Sequence, residues 1–295
     1  MDVIVNFTPT GMLPTKAMTP HVPLSASEII EDVHRAYEIG ITMVHLHARD
    51  EVSGAPTWRR ENYARIIEGI RDFAPDLVLC VSLSGRDFGT FEQRSDALKL
   101  DGNAKPDMGS LTLGSLNFNR QASINEPDMI QALAGEMMSR GILPELEVFD
   151  AGMINYARYL EKKGLLKAPH YFNLIVGNIA CAQPDLLHVG VMVRDIPPDS
   201  LWSIGGIGSA QLPMNMLGIA AGGGVRVGLE DNIWLDDERT KFATNADYLQ
   251  RIKNIIEASG RQRMTSACLR EYLGLLPGFG EYGRPLQATA SSSGH

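Results

Sequence analysis

The sequence predicts an α/β fold of the (β/α)8, or TIM-barrel, kind. Two observations point there. Eight short β-like runs alternate with amphipathic helical stretches. Six of those runs also carry polar residues on one face near their C-terminal ends. A length of 295 residues is ordinary for one such barrel. Repeated βα units also permit an open doubly wound sheet, but no GxGxxG opens the first helix.

The strand candidates are, in chain order, Val3–Thr8, Met43–His47, Leu77–Ser84, Met108–Leu113, Pro144–Phe149, Tyr171–Val176, Leu201–Ile207 and Val225–Glu230. After the first, Ser25-Ala26-Ser27-Glu28 has the form of a capping box, and Ile29, Val33 and Tyr37 follow at four-residue spacing. Asn125 with Pro127 can open a helix carrying Ile130, Leu133 and Met137, which Gly141 can close. Asn245 can cap a helix carrying Leu249, Ile252 and Ile256, with Gly260 as its stop. No linker-like stretch divides the chain before about residue 275, so residues 1–276 read as one barrel domain. Residues 277–295, rich in Gly, Pro and Ser, are expected to be an irregular or subunit-contacting tail.

Apolar residues make up 44% of the chain and charged residues 21%, which suits a large core. The net charge of -8 argues against nucleic acid as a partner, since phosphate binding needs clustered Lys and Arg. It leaves room for a small anion bound by a local basic residue. Cys80, Cys181 and Cys268 lie far apart and are expected to be reduced, buried thiols in a cytoplasm. The N-terminus has no basic segment followed by an apolar one, and no apolar run approaches the ~18 residues that span a membrane.

Side chains alternate faces along a strand. His45 and His47 therefore oppose Val44 and Leu46, and Glu145 and Glu147 oppose Leu146 and Val148. Ser82 and Ser84 share a face, as do Ser110 and Thr112, Asn6 and Thr8, and Arg226 and Glu230. The apolar sets suit packing against surrounding helices, which leaves the polar sets facing the lumen. Burying so many polar groups to no purpose would cost ~1–3 kcal/mol for each one left unpaired. The C-terminal rim of a TIM barrel is also where active sites sit.

His45-Leu46-His47 is the sharpest local signal. Two histidines two apart project to one side of a strand, close enough to share a metal, and Glu230 is the chosen third ligand. Two His and one carboxylate, with an open fourth position, form a usual catalytic zinc arrangement. Zinc there would polarise a carbonyl, and iron or manganese would accept the same ligands. The plainer reading is a pair of satisfied polar residues in a half-buried strand. Arg49 and Asp50 follow as candidate partners of the ligands. His34 falls within the first helix, His21, His170 and His188 have no partner pattern, and His295 lies in the tail.

Six ordered strings carry a resemblance: HLHARD (His45–Asp50), VSLSGR (Val81–Arg86), KPDMGSLTLGSLNF (Lys105–Phe118), PELEVFDAGM (Pro144–Met153), YFNLIVGN (Tyr171–Asn178) and GVRVGLEDNIW (Gly224–Trp234). With them the chain resembles the β-keto acid cleavage enzymes from about Val3 to Leu276. The resemblance implies a TIM barrel, a homotetramer, and zinc held by His45, His47 and Glu230. It implies condensation of a β-keto acid with acetyl-CoA, giving acetoacetate and a new CoA ester. Asp231 then matches the general base, oriented with Arg226 and Glu147, with Glu145 as the other register. Ser82 and Ser110 match contacts to the substrate carboxylate, with Thr112 as the alternative to Ser110. The plainer readings are a structural Arg226–Asp231 ion pair and a satisfied lumen carboxylate at Glu147.

One departure bears on the substrate. Family members acting on an amino-bearing β-keto acid have an acidic residue just after the first-strand Thr-Gly, whereas here Thr10-Gly11 is followed by Met12-Leu13-Pro14. The substrate is therefore expected to be neutral or apolar. Gly205-Gly206-Ile207-Gly208 is a candidate for close approach of coenzyme A, while Gly222–Gly224 reads as turn geometry. Arg86 and Asn117 are candidates for contact with the cosubstrate, and Leu273, Leu275 and Leu276 are compatible with a subunit contact. Two other readings share the metal ligands. One is a metal-dependent aldolase or lyase that needs no CoA, and the other is a zinc-binding barrel without turnover.

Overall fold

The computed structural model describes residues 2–286. Eight parallel strands form a closed barrel: β1 (Val5–Phe7), β2 (Met43–Leu46), β3 (Val78–Val81), β4 (Met108–Thr112), β5 (Leu143–Val148), β6 (His170–Val176), β7 (Ser200–Gly206) and β8 (Gly224–Val227). Each strand pairs with its neighbours in sequence, and β8 closes on β1 with Asn6 opposite Arg226. All eight expected runs hold a strand, but β3 ends before Ser82 and β8 before Gly228. The rim residues Ser82, Ser84 and Glu230 therefore stand on loops just past the strands.

The alternation of faces holds. Outward residues such as Val44, Leu79, Leu111, Leu146, Leu174 and Val225 pack with the helices in one large core. Inward residues near the strand starts are also apolar. Met43, Val78, Met108, Leu143 and Tyr171 meet Met264 and the helix Ser266–Leu273, which closes the N-terminal end. The lumen is thus apolar below and polar above. Leu273 and Leu275 are buried in this plug, so those two are used inside the chain rather than kept for a subunit contact; Leu276 is half-buried, and its backbone N–H donates to the Gly283 carbonyl.

The helix signals fare unevenly. Ser25 and Glu28 form the expected capping box of Ala26–Ile39. Pro127 opens Pro127–Arg140 and Gly141 ends it at φ 64, but the N-cap is Glu126. Asn125 is drawn away because its amide serves Gly114 and the Arg94 guanidinium. The cap of Asn245–Ala258 is Thr244, in a capping box with Asp247. Asn245 instead accepts from Leu229 N–H at 2.9 Å and donates to Asp32 at 2.6 Å, tying that helix to the loop after β8. A short antiparallel hairpin, Leu116–Asn117 with Ala122–Ser123, had no sequence signal.

Of the three cysteines, which are all free thiols, only Cys80 is fully buried; Cys181 is partly covered and Cys268 is exposed. His34 stacks on Phe73, while His170 and His188 pair with Glu161 and Asp185. His295 lies outside the described residues. No helix among the described residues is long and apolar enough to cross a membrane.

The described part of the tail is irregular and docks on its own barrel. Asp107, just before β4, is fully buried between Arg71 and Arg270, with contacts of 2.7 and 2.8 Å. Gly283 N–H adds a bond at 3.0 Å, and the Tyr282 ring lies 3.7 Å from the Arg71 guanidinium. Burial alone would push the Asp107 carboxyl up, but the two guanidiniums outweigh it and hold it below its ordinary value.

Removing the charge from Asp107 leaves two buried cations short of a partner. Asp107→Asn should therefore destabilise the fold by about 3–5 kcal/mol, read as a shift in urea unfolding. The depressed carboxyl contributes stability that is present above the unfolded value of about 4 and lost as pH falls through its folded value. Acid unfolding of Asp107→Asn should accordingly show a shallower dependence on pH than that of the unsubstituted protein.

Candidate active site

At the C-terminal rim His45 points inward from β2, which ends one residue short of the expected strand end, and His47 from the first position past it; both are buried. Their Nε2 atoms lie 3.2 Å apart, and His47 Nε2 is 3.2 Å from Glu230 Oε1. Ligand atoms of these three residues all lie within 4.8 Å of one another. Glu230 reaches this point because the loop after β1 lets it. Gly11 adopts φ 67, and a Cβ there would sit 2.5 Å from the Glu230 Cγ. Arg49 fixes that loop, donating to the carbonyls of Gly11 at 2.7 Å and Pro14 at 3.0 Å.

His45 is oriented from behind. Its Nδ1 donates to Glu145 at 2.5 Å, and Glu145 also accepts from Asn6 at 2.7 Å, Asn173 at 3.0 Å and the Cys80 thiol at 3.1 Å. Burial disfavours the charged imidazole, but the Glu145 carboxylate, with Glu230 and Glu147 behind it, outweighs that and pushes His45 up to about 9. Burial pushes His47 down, and the Glu230 carboxylate, opposed by the cations at His45 and Arg49, does not offset it.

These residues fit a divalent cation. With Nδ1–H of His45 committed to Glu145, its Nε2 faces the Nε2 of His47 across a short gap that a metal would fill. Glu230 Oε2 is buried and has no hydrogen-bond partner. Two imidazoles and one carboxylate, with a carboxylate behind one imidazole, form a donor set suited to zinc. A second grouping, His45 with Cys80 and Glu145, is equally compact. Its atoms already hydrogen-bond to one another, so it reads as support for the first.

Arg226 on β8 organises the opposite side. Its Nε and Nη2 contact Asp231 at 2.8 and 3.1 Å, Nη2 lies 2.7 Å from Glu230, and Nη1 lies 3.9 Å from Glu147. Gly205 makes room for this side chain, since a Cβ there would come within 3.0–3.1 Å of the Arg226 stem. That packing role accounts for Gly205 without coenzyme A. Burial raises the carboxyls of Glu147 and Asp231. Burial also opposes ionisation of Glu230, but Arg226 and His47 outweigh it and hold Glu230 far below its ordinary value.

The two open registers come apart in the structure. Glu147 lines the rim cavity and accepts from Thr112 at 2.7 Å, whereas Glu145 lies beneath it against His45. Thr112 and Ser82 line the cavity. Ser110 does not: its hydroxyl is buried, accepting from Leu83 N–H at 3.0 Å. The cavity holds about 130 Å³, with Met12, Leu13, Phe149 and Ile175 on its apolar side. Leu116, on the hairpin, and Phe118, just past that strand, add to this wall. Sequence reasoning missed the hairpin, the Cys80 contact and Asn173, and it set Arg49 beside the ligands rather than on the carbonyls of Gly11 and Pro14. Asn173 was within reach, since it shares the inward face of β6 with Tyr171.

Comparison with known proteins gives a consistent set of relatives. The family model described as beta-keto acid cleavage enzyme matches residues 2–275. The 3-oxoadipate:acetyl-CoA acetyltransferase of Cupriavidus necator is 36% identical over 275 residues, spanning 92% of this chain and 94% of that protein. The 3-keto-5-aminohexanoate cleavage enzyme of Fusobacterium nucleatum is 32% identical over 275 residues, spanning 92% and 98%. A solved structure, the ternary complex of ObcA with C4-CoA adduct and oxalate, superposes with a TM-score of 0.78 at 22% identity. It spans 88% of this chain and 68% of that one, and shares the barrel fold.

The carboxylate behind His45 should govern metal affinity. Glu145→Gln removes the acceptor charge while keeping the shape, and should weaken zinc binding about 10–100-fold in competition with a chelating dye. An unchanged zinc affinity in folded Glu145→Gln would separate Glu145 from the metal ligands.

Proposed function

Since the chain belongs to the beta-keto acid cleavage enzyme family, a family of β-keto acid:acetyl-CoA transferases, we propose that its rim cavity carries out that transfer with zinc bound at His45, His47 and Glu230. The observation that carries this reading is the cluster of those three residues at the floor of one cavity, which His47 and Glu230 line together with the Arg226–Asp231 pair. In the reaction, R–CO–CH2–COO⁻ and acetyl-CoA give R–CO–S–CoA and acetoacetate, with no atom left over. The bond from C2 to C3 of the keto acid breaks and so does the acetyl carbon–sulfur bond of the thioester, and C2 joins the acetyl carbonyl carbon. The acyl group R–CO joins the coenzyme sulfur. Zinc, when bound, would supply Lewis-acid polarisation of the substrate ketone.

The chain's own residues supply the rest. Asp231, raised by burial, is suited to accept the C2 proton and to return it to C2 of acetoacetate. Arg226 holds that carboxylate in place and balances the negative charge around it. Glu147, fixed by Thr112, is a positioning partner of Arg226. Ser82 is the hydroxyl suited to the substrate carboxylate, since Thr112 spends its one O–H on Glu147, and Ser110 supports it by holding the backbone at Leu83.

Met12 and Leu13 put apolar side chains in the cavity wall, which supports a substrate without an ammonium group. The relative from Fusobacterium nucleatum is named for an amino-bearing substrate, and the one from Cupriavidus necator for 3-oxoadipate, so the family accommodates both kinds. A homotetramer belongs to the same reading and is testable by light scattering.

Zinc-loaded protein should release acetoacetate from β-keto acids only when acetyl-CoA is present. Asp231→Asn should lower kcat about 10²–10⁴-fold, and Glu230→Ala should abolish release. Cleavage that proceeds equally without acetyl-CoA would point to a lyase with the same ligands.

A further inference from the structure

We propose that Arg86 is the receptor for a second carboxylate at the far end of the keto acid, so that the cavity is built for a β-keto diacid. The inference rests on the transferase reading above and names its substrate class. It also replaces the expectation of a neutral or apolar substrate: the absence of an ammonium partner stands, but the tail is anionic.

The other arginines around the rim are already engaged. Arg226 is bound to Asp231 and Glu230. Arg49 is spent on the carbonyls of Gly11, Pro14 and Gly54. Arg94 is spent on Leu83, Ile124 and Asn125. Arg86 lines the same cavity, yet among the described residues its guanidinium has no hydrogen bond or ion pair. Glu230, Asp87 and Glu147 favour the cation from a distance, but none pairs with it, and Asp87 accepts from Gln121 at 2.9 Å.

What the Arg86 guanidinium does have is a surface. It lies 3.6 Å from the centroid of the Phe118 ring, which meets Phe149 edge-on at 6.0 Å. Stacking immobilises a guanidinium by its face and leaves its edge donors free. Those donors form a planar fork that matches a carboxylate. Burial lowers the Arg86 pKa despite the opposing pull of Glu230, Asp87 and Glu147, so the cation is partly desolvated and gains from a directly bound anion.

Its place also suits a distal group. Arg86 borders both the inner cavity and an outer groove beside Asp87 and Ala122, which sets it at the cavity margin. Leu116, Phe149 and Ile175 offer apolar wall for the methylenes of a short chain. The inner space of about 130 Å³ is small against the roughly 300–1,000 Å³ of drug-sized sites, which suits a small acid rather than the body of coenzyme A.

The test compares 3-oxoadipate with 3-oxohexanoate, acids of equal chain length that differ in the terminal carboxylate. The unsubstituted enzyme should favour the diacid. Arg86→Gln should lower kcat/KM for the diacid about 10–100-fold, mainly through KM, and collapse the diacid-to-monoacid ratio. Arg86→Lys should restore part of that ratio. An equal fall for both acids would overturn the proposal, placing Arg86 on the shared carboxylate. A rise in the KM of acetyl-CoA with either acid would overturn it in favour of a coenzyme phosphate. If neither acid yields acetoacetate, the transferase reading fails on its own, and calorimetry then tests Arg86 separately. Binding of 3-oxoadipate that is lost in Arg86→Gln supports the receptor, and equal binding by both proteins overturns it.

Discussion

Four buried or nearly buried carboxylates, Glu145, Glu147, Glu230 and Asp231, crowd around one guanidinium in the upper lumen. Arg226 alone cannot neutralise them, and taking ions out of water costs several kcal/mol each unless the environment compensates. Much of the local sequence is that compensation. Asn6, Asn173 and Cys80 donate to Glu145, and Thr112 donates to Glu147. His45 takes up a proton more readily than a free imidazole because Glu145 lies beneath it. What remains is a deficit of positive charge facing the unpartnered Glu230 oxygen, and the same deficit makes the site attractive to a divalent cation.

The backbone around this cluster is shaped to let it form. Gly11 and Gly205 stand where a methyl group would strike Glu230 or Arg226, so each omits a side chain for a neighbour's benefit. Arg49 and Asn245 hold the loops that carry Gly11 and Leu229. Asn245 shows how a residue that looks like a helix cap can be claimed by a long-range contact, leaving Thr244 to cap. Asn125 shows the same competition, with the Arg94 guanidinium as its claimant.

The barrel and its polar rim were legible because both rest on strand alternation, a strictly local property. His45 and His47 must share a face, whatever surrounds them, and so must Glu145 and Glu147. What alternation cannot say is depth. It left Glu145 and Glu147 undivided, and Ser110 and Thr112 likewise, because choosing between them needs the stagger of neighbouring strands. Pairing Thr112 with Glu147 and Ser110 with Glu145 puts one pair at the cavity and the other a layer beneath. Leu273 and Leu275 misled for a related reason, since an apolar run beside a tail reads alike whether it meets a partner or its own barrel. The unpaired state of Arg86 was invisible for another, as it depends on where every nearby acceptor has already gone.

The Asp107 clamp and the cavity sit at opposite ends of the barrel, and this separation has a bearing on how such a protein can change. The charged knot that fastens the tail draws on Arg71, Arg270 and Gly283, none of which lines the cavity. The segments that shape the acyl pocket, around Leu13, Arg86 and Phe118, contribute nothing to that knot. Selection can thus explore new acyl tails by altering three short loops without drawing on the reserve that keeps the scaffold folded. A mutational library confined to those loops should retain a high fraction of folded members.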